Sequence, residues 1–319
     1  MANSGVMRHR GYSQSFNMIR HADACQDLLS NNFSKKLWPY KEKLADFLSE
    51  MDKSKSKCCS QNSVYVEDNG WVSVALSVVK IVVCFVAMMA TTFVWAVIMM
   101  VLLPWPYARI RQGNIYGHVT GRMLMWILGN SIEIRGAEYS NLKAIYVSNH
   151  ASPLDIFLIM WLTPTGTVGI AKKEIIWYPL FGQLYVLANH LRIDRSNPTA
   201  AIESMKKAAR TIVEKDLSLV IFPEGTRSKT GRLLPFKKGF VHMAIQSRRP
   251  IVPIVLTGTH LAWKKNSLHV RPAPLTVTYL PPISTEDWTT DKVDEYVEML
   301  HSLYVEHLPD SQKPCNDQE

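Results

Sequence analysis

"AIYVSNHASPLDIFLIMWL", residues 144–162, passes from one apolar segment to another through a short polar turn. Residues 144–148 form a continuous apolar run, which is typical of a strand buried on both faces. After it, Ser152 is a good helix N-cap, Pro153 suits the first helical position, and Asp155 can reach back to the amide of the cap. The stretch therefore predicts a buried strand, a turn and a helix that begins at Pro153.

Strand and helix patterns alternate after this stretch. Apolar runs of strand length lie at residues 217–222, 251–256 and 275–280. Helical patterns lie at residues 198–212, where Asn197 can cap, at 240–246 and at 291–307. Strands that alternate with helices predict an α/β fold.

One segment upstream is apolar enough to cross a bilayer. Residues 81–108 contain no charge, and 81–103 exceed the roughly 20 residues that a membrane crossing needs. Trp71, Lys80, Trp105, Tyr107, Arg109 and Arg111 flank the run as interfacial anchors would. A buried core helix is the alternative, although core helices of this length without charge are uncommon. A second apolar patch, residues 123–134, is too short to span and predicts a re-entrant or surface-lying helix.

Charge and composition divide the chain into four parts. The 319 residues carry a net charge of +9, of which residues 1–70, with ten Lys/Arg and eight Asp/Glu, supply only +2. We expect a polar tail over 1–70, membrane-attachment helices over 71–135, the α/β domain over 136–310 and a short tail over 311–319. A basic body suits anionic membranes, phosphorylated substrates or nucleic acid. The five cysteines lack zinc-type spacing, which indicates a reducing compartment.

Helix capping does not explain Asn149 and His150. They follow a buried strand and precede a helix, the place where open α/β sheets bind ligands. Four residues separate His150 from Asp155, and a turn into a helix brings such side chains together. A carboxylate fixes the tautomer of an imidazole, which can then take a proton from a hydroxyl and contribute roughly 10²–10⁴-fold to the rate. The spacing is compatible with a catalytic pair and with a simple cap.

A second constellation is "FPEGTRSKTGRLLPFKKG", residues 222–239. Pro223 and Gly225 force a turn, and Gly225 can supply a positive φ. Arg227 offers a planar fork that suits phosphate, and further Lys and Arg residues follow with few acids. The alternative is a solvated basic loop with an internal ion pair between Glu224 and Arg227.

Several other site types are excluded by spacing. A P-loop fails because five residues separate Gly225 from Gly231 and Arg232 stands where Lys is required. Ser148 and Ser152 lack the G-x-S-x-G elbow of serine hydrolases. No His/Cys/Asp cluster indicates a metal, and no aromatic-interleaved basic surface indicates nucleic acid.

Together these motifs resemble the blocks of the glycerolipid acyltransferases. "NHASPLD" (149–155) resembles their NHx₄D block, and "FPEGTRS" (222–228) resembles their phosphate-binding block. "RIDR" (192–195) and "IVPIVLTG" (251–258) are similar to two further blocks, in the same order. The resemblance covers about residues 75–310 and is greatest to the seed-type microsomal lysophosphatidate acyltransferases of plants.

The resemblance implies a fold and a reaction. We expect a central, mostly parallel sheet with flanking helices, preceded by an N-terminal membrane helix. The implied reaction transfers an acyl group from acyl-CoA to the sn-2 hydroxyl of 1-acyl-sn-glycerol-3-phosphate (lysophosphatidic acid), giving phosphatidic acid. Acyl-CoA is a co-substrate, and we expect no cofactor, metal or nucleic-acid partner. The implied location is the endoplasmic reticulum membrane. The plastid membrane is the alternative, because the first 22 residues contain Arg8, Arg10 and Arg20 and no acid, as in an organelle transit peptide.

The same resemblance assigns roles to individual residues. His150 would be the general base and Asp155 would orient it. The residues expected to bind the phosphate-bearing substrate are Glu224, Gly225, Thr226, Arg227, Lys172 and Arg195. Two alternatives stay open: another acceptor, such as glycerol-3-phosphate or a lysophospholipid with a head group, and a non-catalytic lipid-binding or scaffold protein.

Overall fold

The structure, a computed structural model, describes residues 70–177, 181–193 and 198–314, and every residue discussed below lies in the unit Asp68–Glu319. Its strands are β1 Ser131–Arg135, β2 Ile145–Ser148, β3 Thr167–Lys172, β4 Leu191–Ile193, β5 Ser218–Ile221, β6 Ile251–Thr257 and β7 Pro274–Tyr279. They form one sheet in the order β1-β7-β6-β2-β5-β3-β4. All neighbours are parallel except β6 and β7. The expected α/β fold with a mostly parallel sheet is confirmed.

Helices flank this sheet and precede it. The α-helices are α1 Trp71–Val101, α2 Pro106–Leu128, α3 Leu154–Leu162, α4 Phe181–Leu187, α5 Pro198–Glu214, α6 Gly239–Ser247, α7 Thr259–Ala262 and α8 Val293–His307. Short 3₁₀ turns lie at Ala137–Tyr139, Lys173–Trp177 and Thr290–Lys292. The three helices predicted after the opening stretch correspond to α5, α6 and α8; the predicted cap Asn197 lies outside the described residues.

The four predicted strands correspond to β2, β5, β6 and β7. Three strands were not predicted, for local reasons. β1 is mostly exposed, β3 contains Gly169, and β4 is only 3 residues long, so none presents a long apolar run. The predicted helix over residues 123–134 is wrong as one element, because α2 ends at Leu128 and β1 begins at Ser131. The boundary expected at residue 136 therefore moves earlier, since β1 belongs to the sheet.

Strand β2 lies near the centre of the sheet and leads directly into the turn at His150. All its residues are buried, and it pairs with β5 on one side and β6 on the other. Pro253 of β6 stands opposite Val147, and its carbonyl faces β7, where it accepts the N–H of Leu280 (2.9 Å). The hydroxyl of Tyr304, from α8, donates to the Val147 carbonyl (2.6 Å) and accepts the N–H of Ile254 (3.2 Å). The last helix thus inserts a hydroxyl between the main chains of β2 and β6 and bonds to both strands.

The first helix, α1, has the length and composition of a membrane span. Its 31 residues extend about 46 Å at the α-helical rise, and only 11% of its most apolar window is buried. It packs against α2, and the ammonium of Lys80 donates to the carbonyl of Leu128 at 3.0 Å. That bond satisfies a carbonyl at the end of α2 and gives the ammonium of Lys80 a hydrogen-bond acceptor.

Close packing joins α2 to the helix that carries the candidate site. Gly113, Gly117 and Gly121 follow one another at helical spacing along α2. A Cβ at Gly121 would overlap the carbonyl oxygen of Phe157, and one at Gly117 would lie 3.0 Å from that of Met160. Glycine is therefore required for α2 to approach α3 this closely, and the approach fixes α3 against α2.

Candidate active site

The turn after β2 brings the imidazole of His150 to the carboxylate of Asp155. His150 Nδ1 lies 2.9 Å from Asp155 Oδ2, and the side chain of Asp155 is fully buried. The same Oδ2 accepts the N–H groups of Ala151 and Ser152, each at 2.7 Å. The N–H of Leu154 is bonded to Ser152 Oγ at 3.1 Å. One carboxylate oxygen therefore holds both the start of α3 and the imidazole, as the sequence allowed.

This contact determines which nitrogen of the imidazole is available. A carboxylate only accepts hydrogen bonds, so Nδ1 of His150 carries the proton and Nε2 has a lone pair. Among the described residues, none is hydrogen-bonded to Nε2. The ring of Phe222 stacks on that of His150, with centroids 4.1 Å apart and planes at 22°. The arrangement can accept a proton from a substrate hydroxyl.

The "FPEGTRS" loop follows β5, which is parallel to β2, so the two loops meet at the same edge of the sheet. Glu224 Oε1 accepts the N–H of His150 at 2.6 Å, and the N–H of Ser228 donates to the carbonyl of His150 at 2.8 Å. The second loop thus holds the main chain of His150 from both sides.

Glu224 is engaged with main-chain amides and does not face solvent. It is 3% exposed, and its Oε2 accepts the N–H of Leu234 at 3.2 Å. No ion pair joins Glu224 to Arg227, both of which the structure describes, so the internal ion pair considered from sequence does not form. Burial raises the pKa of Glu224 to about 8, although the amides of His150 and Leu234 counteract part of that effect.

The rest of the loop presents positive charge. Gly225 has φ 70°, the conformation expected from sequence, and the ammonium of Lys237 occupies the space where a Cβ would stand. Thr226 is exposed and Arg227 is partly exposed. Among the described residues, no carboxylate lies within 4.0 Å of the side-chain nitrogens of Arg227. This guanidinium is available to an anion.

Two expected site residues cannot be placed in the same way. The main chain of Lys172 ends β3, and its side chain lies outside the described part of the structure. Arg195 lies outside the described residues altogether. Their proposed contacts with phosphate stay predictions.

A cavity of about 310 Å³ adjoins the histidine. Its wall includes His150, Phe222 and Gly225, and it extends between α2, α3, β3 and α4. Most of the lining consists of apolar side chains and glycines, including Gly113 and Gly117 of the closely packed face of α2. An apolar space beside a proton acceptor can hold a long aliphatic group with its reactive end at the imidazole.

Comparison with known proteins agrees with this geometry. A family model described as Acyltransferase matches residues 131–257. The chain is 73% identical over 250 residues to the coconut (Cocos nucifera) 1-acyl-sn-glycerol-3-phosphate acyltransferase, covering 78% of this chain and 81% of that one. The chain belongs to the 1-acyl-sn-glycerol-3-phosphate acyltransferase family.

Two further comparisons support the same family and fold for this acyltransferase family member. It is 63% identical over 248 residues to the Limnanthes douglasii 1-acyl-sn-glycerol-3-phosphate acyltransferase, covering 78% of this chain and 88% of that one. The crystal structure of the 1-acyl-sn-glycerophosphate (LPA) acyltransferase PlsC from Thermotoga maritima aligns with a TM-score of 0.60. That alignment covers 74% of this chain and 96% of the other at 21% identity, and it shows the shared fold.

Two residues that hold the site of this acyltransferase family member were not predicted in this role: Asn149, which the sequence singled out without a contact, and Gln312. The side-chain amide of Asn149 binds both the N–H and the carbonyl of Leu256 in β6, at 2.8 and 2.9 Å. Gln312, near the end of the chain, accepts the N–H of Gly258 at 3.1 Å, and its carbonyl accepts the N–H of Leu233 at 2.8 Å. The position of Asn149 beside His150 was a usable signal, whereas nothing near Gln312 in sequence indicates its contacts.

Proposed function

We propose that the chain transfers an acyl group from acyl-CoA to the sn-2 hydroxyl of 1-acyl-sn-glycerol-3-phosphate, forming phosphatidic acid. The observation that carries the proposal is the contact between His150 and Asp155, which leaves Nε2 of the imidazole available beside an apolar cavity. The names of the coconut and Limnanthes relatives support the same reaction.

In the proposed mechanism, Nε2 of His150 accepts the proton of the sn-2 hydroxyl. The hydroxyl oxygen attacks the carbonyl carbon of the thioester, the C–S bond breaks, and the CoA thiolate leaves and takes up the proton from the imidazolium. Asp155 stabilises the positive charge of the imidazolium through its bond to Nδ1. General-base catalysis of this kind contributes roughly 10²–10⁴-fold. Transfer is direct, without an acyl-enzyme.

Two binding regions would position the reactants. The transferred chain must carry its carbonyl to His150, and the cavity wall that includes His150 and Phe222 suits that chain. The acceptor phosphate would bind at Arg227, whose loop adjoins the turn at His150 through Ser228. Fixing two reactants in this way can remove up to about 7–11 kcal/mol from the barrier.

We assign Glu224 a positioning role in place of the phosphate contact expected from sequence. Its two oxygens accept amides of His150 and Leu234, and it is buried, so an anionic substrate has no access to it. In phosphate binding, Gly225 would contribute by forming the turn of the loop, and Thr226 would contribute its hydroxyl beside Arg227.

The setting of the reaction is also a proposal. The acceptor, lysophosphatidic acid, and the product, phosphatidic acid, are lipids of the bilayer. Helix α1 has the length and composition to hold the enzyme there. We propose the endoplasmic reticulum membrane as the location. We further propose that the reaction uses no cofactor and no metal, because general-base chemistry at His150 and phosphate binding by cations account for each step.

A matrix of acyl-CoAs against acceptors, with purified chain in lipid, tests the proposed function. We expect CoA release with 1-acyl-sn-glycerol-3-phosphate at a kcat/KM far above those for glycerol-3-phosphate and lysophosphatidylcholine. A higher kcat/KM with glycerol-3-phosphate or lysophosphatidylcholine would refute the assignment of 1-acyl-sn-glycerol-3-phosphate as the acceptor. Lipid binding without turnover of any pair would favour the non-catalytic alternative. Arg227→Ala should raise the KM for the phosphorylated acceptor, and an unchanged KM would refute the phosphate assignment.

A further inference from the structure

Lys265 reaches the "FPEGTRS" loop from a distant part of the chain. It lies between α7 and β7, 38 residues after Arg227 in sequence. Its ammonium donates to the main-chain carbonyl of Arg227 at 2.6 Å and to the hydroxyl of Thr226 at 3.3 Å. An ammonium has three N–H groups, so one donor remains beside the Arg227 loop.

Two positive side chains, Arg227 and Lys229, lie near Lys265. Burial and the nearby charges of Arg227 and Lys229 lower the pKa of Lys265. Among the described residues, no carboxylate lies within 4.0 Å of the side-chain nitrogens of these three residues. Lys238, in contrast, contacts Asp294 at 2.7 Å, and Lys313 contacts Asp310 at 2.7 Å. Cations that converge without an acid are balanced when an anion binds between them.

The position of this cluster favours the acceptor phosphate over the phosphates of CoA. Ser228, which follows Arg227, donates its N–H to the carbonyl of His150 at 2.8 Å. In 1-acyl-sn-glycerol-3-phosphate, the phosphorus lies only a few bonds from the carbon that bears the reacting hydroxyl. The phosphates of CoA lie at the far end of the pantetheine arm from the thioester. A cation cluster that adjoins the histidine turn therefore suits the acceptor.

We propose that Lys265 is a binding residue for the phosphate monoester of the acceptor, together with Arg227. Its remaining N–H donates to a phosphate oxygen, while its bonds to the Arg227 carbonyl and the Thr226 hydroxyl hold the loop in place for the guanidinium. The inference rests on the proposed function and adds a residue that no sequence motif indicated.

Steady-state kinetics of Lys265→Met test this assignment. Methionine keeps an apolar stem of similar length and removes the charge. We expect the KM for 1-acyl-sn-glycerol-3-phosphate to rise about 10- to 100-fold, the size of a lost charge-assisted hydrogen bond. The kcat should stay within about threefold of wild type, and the KM for acyl-CoA should not change. Lys215→Met, at the end of the sheet opposite the site, is the charge-matched control and should keep wild-type constants.

Other outcomes would overturn the assignment. An unchanged acceptor KM, or a rise confined to the KM for acyl-CoA, would show that Lys265 does not bind the acceptor. A fall in kcat alone, or loss of the wild-type melting transition, would assign the lysine a structural role. Lys265→Arg, which keeps a cation and its donors, should recover part of the acceptor KM. Wild-type chain that fails to acylate this acceptor would instead refute the proposed function.

Discussion

Replacing Asp155 with Asn tests how the carboxylate acts on His150. Three N–H donors converge on Oδ2 of Asp155, from the imidazole and from the amides of Ala151 and Ser152. The oxygen of the new amide should therefore take the place of Oδ2, and Nδ1 of His150 should keep its proton. The change removes the negative charge beside the imidazolium while the tautomer is preserved.

The magnitude follows from the type of hydrogen bond that is weakened. A hydrogen bond to a charged group contributes about 1.5–3 kcal/mol, so kcat should fall about 10- to 100-fold. The amide NH₂ of the asparagine would occupy the place of Oδ1 of Asp155, which is buried without a partner, and this should cost about 1–3 kcal/mol of stability.

CoA release under saturating acyl-CoA and lysophosphatidic acid, with a melting curve on the same preparation, measures both effects of Asp155→Asn. A kcat within threefold of wild type would refute the role of the carboxylate charge. A loss of about 10⁴-fold, the size expected when the imidazole takes the wrong tautomer, would contradict the orientation argued for the amide.

Three further changes test the packing around the site. Glu224→Gln removes the acid whose pKa is about 8. Between about pH 5 and 8 the native wild type binds this proton and the unfolded chain does not, so its free energy of unfolding should fall as the pH rises through that range. Melting curves of the variant at the same pH values should lack this part of the fall. Gly121→Ala should destabilise the chain by about 1–3 kcal/mol because its Cβ meets the Phe157 carbonyl, whereas Val119→Ala, on the exposed face of α2, should melt near wild type. Tyr304→Phe should cost about 1–3 kcal/mol in denaturant titrations, since a buried carbonyl and a buried N–H lose their partner, and an unchanged midpoint would contradict that role.

Local sequence rules were sufficient for the turn at His150. Ser152 and Asp155 bond to main-chain amides at the start of α3, and the same geometry brings Asp155 to His150. The continuous apolar runs likewise predicted β2 and β6, including a strand that contains Pro253. Spacing within one short segment fixes these contacts, so no long-range information was needed.

The roles of Glu224, Lys265 and Tyr304 depend on contacts between distant segments. Glu224 was expected to meet phosphate, but the parallel pairing of β2 and β5 brings it to the amide of His150. Lys265 and Tyr304 belong to no motif. Each donates a hydrogen bond to a main-chain carbonyl in a distant segment, Lys265 to that of Arg227 and Tyr304 to that of Val147. Periodicity and spacing cannot show which main-chain groups such side chains meet, because the sheet order determines that.

The most direct test of the account compares His150→Ala with wild type in one preparation bound to lipid vesicles. We predict that the variant binds vesicles and keeps a cooperative melting transition, since the Ala side chain leaves the main-chain bonds to Glu224 and Ser228 in place. Transfer from acyl-CoA to lysophosphatidic acid should fall by at least about 10²-fold. Near wild-type turnover in a folded, vesicle-bound His150→Ala chain would contradict the central claim that this imidazole is the base.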